Sequence, residues 1–312
     1  SYLIFDHKKE KIVIVEDNIY SGREEEEQKA ALQEVLADLK KQAVDEFSER
    51  DLHTLTFRNH LEEATFKDMV TKAKKFIRQG DMFQCVLSQR FSADISGKPL
   101  DFYRNLRITN PSNYLYFYDF GDYQIIGASP ESLVSLKNGV VTTNPIAGTR
   151  PRGANDQKDK DLSEELLSDV KEVAEHRMLV DLGRNDIGKI AEVGSVQVTK
   201  YMEVEFFRYV MHLTSVVKGK LLSGLTGMDA LKSTLPAGTV SGAPKIRAMK
   251  HIYELEKEKR GIYAGAIGYL SASGDMDFAI AIRTMIIKNQ KAYVQAGAGI
   301  VYDSVPDRKS VV

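Results

Sequence analysis

A single cysteine, Cys85, in 312 residues leaves no partner for an internal disulfide and no cluster of sulfur ligands for zinc. An excess of one charge is equally missing: 43 basic residues stand against 44 acidic ones, a formal net charge of −1. That balance offers no electrostatic footprint for nucleic acid or an anionic membrane. No apolar run approaches the length of a bilayer span, and no basic segment precedes a short apolar stretch as in a secretory leader. These absences leave an enzyme-sized chain with room for a substantial core, for which a reducing cytoplasm is the default compartment. The chain opens on the strand-like Tyr2-Leu3-Ile4-Phe5 without an initiating Met and stops on Lys309-Ser310-Val311-Val312. Both ends read as those of an excised or truncated piece of a longer protein.

Patterning divides the chain into a small leading part, 1–50, and a large remainder, 51–312. Tyr2–Phe5 and Lys11–Val15 are β-rich and flank a polar turn, so a hairpin is expected. Over 24–47, Leu32, Val35, Leu36 and Leu39 form an apolar stripe at helical spacing, and the polar stretch 48–60 reads as a linker. Phe66, Met69, Val70, Ala73, Phe76 and Ile77 keep the same period until Gly80. Strand-like runs follow at 83–91, 114–120, 123–128, 133–136 and 140–144, then a long helix over 158–182. Strands at 196–201 and 209–218, helices at 227–235 and 243–258, and strands at 263–271, 277–288 and 291–302 complete the reading. Strands gather in meanders rather than alternating with helices, which favours an α+β protein with large antiparallel sheets over a doubly wound fold.

Several segments carry polar groups in suggestive places. Asn144-Pro145-Ile146-Ala147-Gly148-Thr149-Arg150-Pro151-Arg152-Gly153 ends a strand; its amides and the Thr149 hydroxyl suit a carboxylate, although a stiff basic turn has the same pattern. Glu172 and Glu175, three apart on the 158–182 helix, share a face that suits Mg²⁺ or simply faces solvent. The cluster Asp181–Asp186, directly after an apolar stretch, hints at buried ion pairs. Pro236–Lys245 is a small-residue loop opening a helix, with Ser241 as its expected N-cap; it lacks the spacing of a P-loop. Gln295–Ile300 lacks the third glycine of a dinucleotide fingerprint, so Gly297 and Gly299 point instead to close approach by another group. His212 reads as a buried, hydrogen-bonded histidine, and Glu131, after Ser129-Pro130, as a turn glutamate.

In combination these segments are far more specific. Phe83–Arg90 (FQCVLSQR), Gly127–Glu131 (GASPE), Pro145–Arg152 (PIAGTRPR) and Glu175–Asp186 (EHRMLVDLGRND) are followed by Tyr209–Leu213 (YVMHL), Pro236–Lys245 (PAGTVSGAPK), Ala281–Thr284 (AIRT) and Ala296–Pro306 (AGAGIVYDSVP). The series resembles the chorismate-utilizing enzyme family, most closely its anthranilate synthase branch, over roughly residues 50–306. The resemblance implies two large antiparallel sheets packed as a sandwich with helices outside. It also implies conversion of chorismate and ammonia to anthranilate and pyruvate, with ammonia supplied by a glutamine amidotransferase subunit.

The resemblance further implies Mg²⁺ on Glu175, with Glu172 nearby, and Glu131 as the acid for the departing hydroxyl. Arg283 and Tyr263 would hold the pyruvyl carboxylate, and Gly148, Thr149, Gly297, Gly299 and Thr239 would complete the anion contacts. His212 is expected beside the ring, in pyruvate elimination. Isochorismate-forming relatives carry a lysine base where Gln84 stands, and aminodeoxychorismate synthases a nucleophilic lysine where Ala147 stands. Neither residue here can play those parts, which leaves ammonia as nucleophile. Three departures stand out: Lys309 occupies the place of a second metal glutamate, most of the family's N-terminal part is missing, and its NPSPYM segment reads Asn110-Pro111-Ser112-Asn113-Tyr114-Leu115. They predict weak metal binding or inactivity and no feedback inhibition. The alternatives are an aminodeoxychorismate synthase and a non-catalytic chorismate-binding relative.

Overall fold

The computed structural model describes residues 2–16, 22–41 and 55–308, and the chain divides into two compact units, Ser1–Arg50 and Asp51–Val312. In the first unit, β1 (Tyr2–Asp6) pairs with β2 (Lys11–Val15), Tyr2 opposite Val15. The Asp6 carboxylate accepts the backbone N–H groups of Lys8 and Lys9 and so closes the turn. The helix α1 (Glu25–Lys40) carries the expected apolar stripe, yet none of its residues is buried. The end of that expected helix, most of the expected linker and Lys309 lie outside the described residues.

The second unit begins with β3 (Arg58–Asn59), α2 (Glu63–Arg78), β4 (Gln84–Asp94), α3 (Pro99–Thr109), β5 (Tyr114–Asp119) and β6 (Gln124–Ser129). Next come β7 (Ser132–Lys137), β8 (Val140–Thr143), β9 (Ile146–Pro151), α4 (Asp156–Ser168), α5 (Val170–Gly188), β10 (Gln197–Phe206) and β11 (Val210–Lys220). It closes with α6 (Gly227–Thr234), β12 (Gly242–Ala243), α7 (Lys245–Glu256), β13 (Ala266–Leu270), β14 (Met276–Ile280), β15 (Thr284–Lys288) and β16 (Lys291–Ile300). They build two seven-stranded antiparallel sheets. The first runs β10-β11-β8-β7-β14-β13 with β9 also on β11; the second runs β12-β4-β16-β15-β6-β5 with β3 on β4. The α+β class with large antiparallel sheets is therefore what the meandering strands implied.

Each sheet has its own helix-facing core. On the first, Leu133, Val134, Val141 and Val217 pack with Val180 and Ile187 of α5 and Ala230 and Leu231 of α6. On the second, Cys85, Leu87 and Ile300 meet Phe66, Met69, Val70 and Ala73 of α2 and Ala248 and Ile252 of α7. The α2 residues follow one another at 3, 1 and 3, which keeps them on one helical face. Burying a side chain of this size is worth roughly 1.5–3 kcal/mol, more than the propensity of any single residue in the helix. The helix stops at Gly80, whose φ of 82° only glycine adopts freely, and the Asp81 N–H closes back on the Phe76 carbonyl. Among the described residues no helix is long and apolar enough to cross a membrane.

Four expectations need correction. The helix expected over 158–182 is two helices, because the Asp169 side chain accepts the N–H groups of Lys171 and Glu172 and caps a new one. The strand expected over 277–288 is also two, β14 and β15, which belong to different sheets. The segment Ile146–Pro151, expected to follow the end of a strand, is itself strand β9 on β11. Ser241 is no N-cap: its hydroxyl donates to the Ala237 carbonyl at 2.7 Å, and Pro244 caps α7.

Candidate active site

The split of 277–288 creates the site. β6 leads directly into β7, crossing from the second sheet to the first, and β14 leads into β15, crossing back. The two crossings lie side by side, since β6 pairs with β15 and β7 with β14. At the corner the Ile280 N–H donates to the Glu131 carbonyl at 3.0 Å, and the Ala128 N–H to the Arg283 carbonyl at 3.1 Å. Glu131 and Arg283 are thus corner residues of one bent ribbon, and both border a cavity of about 620 Å³.

Glu131 is enclosed by protein except where it meets the cavity. Its Oε1 accepts from Thr239 Oγ1 at 2.8 Å, and among the described residues no cation pairs with it. Burial pushes its pKa up to about 7, against the smaller opposing effect of the Thr239 hydrogen bond. A carboxyl poised there can hold a proton near neutrality and give it up. Thr239 sits in a 3₁₀ turn, Gly238–Val240, within a loop secured to the edge of β4: the Val86 N–H donates to the Ser241 carbonyl at 2.9 Å, and the Phe83 N–H to that of Ala243 at 2.8 Å. Lys245, at the end of this loop, forms the anticipated buried ion pair with Asp186.

Tyr263 and Arg283 face the same space. Burial holds the Tyr263 phenol up at about 12, so it is a neutral donor. A Cβ at Gly297 would overlap the Tyr263 hydroxyl, which identifies the group that approaches the Gly297 backbone. Arg260 lies 5.6 Å over the Tyr263 ring and is itself held by Glu256, at 2.6 and 2.8 Å, and by the Val86 and Val240 carbonyls, each at 2.6 Å. This Glu256–Arg260 brace was not apparent from the sequence. Arg283 is exposed to the cavity side with a φ of 49° and, among the described residues, pairs with no acid. The far wall is α3, through Phe102, Asn105, Leu106 and Thr109. That helix went unread, although Pro99 in its first turn followed by Asp101 is a start signal.

The remaining candidates gather at a seam between α5, β9 and β11. Thr149 lies opposite His212 in the ladder. His212 Nδ1 is 3.0 Å from the Gly148 carbonyl and 3.1 Å from Thr149 Oγ1. Because the carbonyl can only accept, Nδ1 carries a hydrogen, and in the neutral imidazole this leaves Nε2 as the acceptor. Gly148 has a φ of 67°, and a Cβ there would meet Glu172 Oε2 at 3.3 Å. Glu175, on the same helix face, accepts from Gln84 Nε2 at 3.4 Å. Gln84 Nε2 in turn lies 2.9 Å from where a Gly299 Cβ would stand, so Gln84 links the seam to the cavity wall.

The eleven expected residues therefore fall into two groups. Glu131, Thr239, Tyr263, Arg283, Gly297 and Gly299 border the cavity, whereas Gly148, Thr149, His212, Glu172 and Glu175 form the seam. Among the described residues Glu172 and Glu175 are half-buried with no basic partner, and Gln84 Oε1 nearby is buried without a hydrogen-bond partner. That set fits a cation that takes one or two carboxylates and fills its shell with water and substrate oxygens. Among the described residues no three acids, histidines or cysteines converge to hold a metal by themselves.

Comparison with known proteins places the chain in a family. A model of the chorismate binding enzyme family matches residues 1–310. The chain is 56% identical over 309 residues to anthranilate synthase component 1 of Lactococcus lactis subsp. lactis, a match covering 99% of this chain and 68% of that protein. It is 55% identical over 253 residues to anthranilate synthase component 1 of Aquifex aeolicus, covering 81% of this chain and 51% of the relative. The crystal structure of anthranilate synthase component I from Streptococcus pneumoniae superposes with a TM-score of 0.93 at 70% identity, covering 99% of this chain and 69% of that one. The chain thus spans between about half and about two thirds of the length of these relatives. It belongs to the family of chorismate-binding enzymes.

Proposed function

We propose that this chain is the catalytic part of an anthranilate synthase large subunit, converting chorismate and ammonia to anthranilate and pyruvate. The observation that carries the reading is Glu131: an acid raised to about 7 by burial, facing a cavity that also holds the Arg283 guanidinium, with neither group in an ion pair among the described residues. Chorismate offers both groups a partner, since it carries two carboxylates, an enolpyruvyl ether and a leaving hydroxyl. Arg283 and the neutral Tyr263 phenol bind the pyruvyl carboxylate. Glu131 then gives its proton to the departing hydroxyl, which leaves as water while ammonia's lone pair forms the new C–N bond.

Loss of a ring proton and cleavage of the ether C–O bond release pyruvate and an aromatic ring. His212 is assigned to this half, on the support of a tautomer that leaves Nε2 free to accept. Gly148, Thr149, Gly297 and Gly299 complete the anion contacts. Glu175 and Glu172 would hold Mg²⁺, which when bound withdraws electron density from the ring through its carboxylate. Gln84 and Ala147, in place of the lysines of other branches, leave ammonia as nucleophile.

A glutamine amidotransferase subunit would supply that ammonia. Cys85, the one thiol here, is buried in β4 and pushed up to about 12, which suits packing rather than glutamine hydrolysis. The cytoplasm is the proposed compartment. The test is incubation with chorismate, Mg²⁺ and high ammonium at mildly alkaline pH, following anthranilate fluorescence. Anthranilate is the expected product; aminodeoxychorismate would overturn the assignment, and chorismate binding without turnover would favour a non-catalytic relative.

A further inference from the structure

Glu131 has a second cavity at its back. This small space, of about 50 Å³, is bordered by Glu131, Asn144, Asp186, Thr234, Thr239 and Lys245 among others. Its volume exceeds the roughly 10–15 Å³ that one water needs, and its polar rim supplies hydrogen-bond partners. Among the described residues around the two cavities only Glu131 and Thr239 border both. Their hydrogen-bonded pair is the partition between a large front chamber and a small rear one.

The rear chamber also contains a way out. Lys245 pairs with Asp186 Oδ2 and donates to the Thr234 carbonyl at 2.8 Å. Asp186 Oδ1 lies 3.2 Å from the ammonium of Lys189, whose side chain is 53% exposed. Burying the Asp186–Lys245 pair costs desolvation that mutual attraction barely offsets, so it adds little to stability. Beside a water-sized space it adds an exchangeable proton, and burial makes the Lys245 ammonium a readier donor than an exposed lysine. The charged or titratable groups around Glu131 are Arg283 and Tyr263 in front and Asp186 and Lys245 behind.

We propose that the rear cavity is a water-filled proton inlet through which Glu131 is recharged from the Asp186–Lys245 pair while the ring occupies the front chamber. The inference rests on the reading of Glu131 as the acid for the departing hydroxyl. As the C–N bond forms and the C–O bond breaks, the hydroxyl takes the Glu131 proton and leaves as water. The carboxylate then takes a proton from the cavity water, which takes one from Lys245, and solvent restores Lys245 by way of Asp186 and Lys189. The new nitrogen substituent sheds one proton to solvent, so the cycle consumes none.

Two variants test the inlet outside the residues that contact substrate. Asn144→Leu fills the rear chamber with an apolar side chain; Asp186→Leu with Lys245→Met removes the pair without stranding one buried charge. Enzyme equilibrated at pH 6 is mixed with chorismate, Mg²⁺ and ammonium at pH 8, and the first turnover is compared with the steady state. A first-turnover rate within twofold of the parent, a kcat lower by tenfold or more, a larger solvent deuterium effect and partial rescue by imidazole are expected. A first turnover that falls in step with kcat, or no change in either, overturns the inlet. If one variant fails to fold by its thermal midpoint, the other decides by the same criteria. Glu131→Gln is run in parallel: full activity in that variant sinks the acid assignment itself, whereas its inactivity beside unaffected rear-cavity variants sinks only the inlet.

Discussion

The cavity wall and the α5–β9 seam handle carboxylates by opposite means. On the wall, Glu131 has one hydroxyl partner, no cation among the described residues and enough burial to raise it to about 7, so the neutral form is well populated near neutrality. At the seam, Glu172 and Glu175 are half-buried on a helix face, with one long contact, 3.4 Å, from Gln84. The wall is complete as it stands: Arg260, Glu256 and the loop bonds to β4 fix its donors from behind. The seam is satisfied only in part. Its histidine and threonine bond to each other, and the histidine to the Gly148 carbonyl, while among the described residues no basic side chain meets its acids. The proposed roles, one carboxyl as a proton source and two as metal ligands, thus differ by dielectric and cation rather than by residue type.

The largest effect that would sharpen this contrast is on the wall. Glu131→Gln keeps the Thr239 contact but has no proton of useful acidity, so kcat for anthranilate should fall by about 10²–10⁴, read by fluorescence. Next is the seam: Glu175→Gln should raise the Mg²⁺ concentration for half-maximal activity by roughly 10–100-fold, the range typical of weakened metal shells. An unchanged Mg²⁺ titration would break the distinction between the two regions.

Smaller again is Gly297→Ala, whose Cβ would overlap the Tyr263 hydroxyl. It should raise KM for chorismate by about tenfold, roughly 1.4 kcal/mol of lost binding. Adding Tyr263→Phe should recover part of that loss, because the overlapping oxygen is gone. The smallest effect is on stability. A carboxyl at about 7 when folded, against 4.5 ordinarily, binds protons more tightly in the folded state. Its contribution is complete below about 4.5 and is lost as pH rises through about 7. Between pH 5 and 8 the parent's thermal midpoint should therefore decline relative to that of Glu131→Gln.

Much of this arrangement was legible from residues alone. The α2 stripe, the β1–β2 hairpin and most strands followed from period and β-branched content, and the segment order carried the family. What escaped has identifiable causes. Asp169 looks like one more helical acid until its carboxylate is seen capping two amides. Ile280-Ala281-Ile282-Arg283 continues the apolar run of β14, so nothing local reports that the chain changes sheet there. β9 carries Pro151 and Arg150 and is paired only through β11, a partner some sixty residues away. The grouping of the candidates was beyond reach for the same reason: Gln84, the link between seam and wall, touches Glu175 across 91 positions of sequence.

The bent ribbon has a consequence for how such a protein can change. The separation of acid and guanidinium is set by a corner a few residues long, closed by two backbone hydrogen bonds. It does not depend on how the outer strands or the covering helices are docked. Either sheet can be rebuilt at its edges, lengthened or given a new exterior while the reactive pair keeps its spacing.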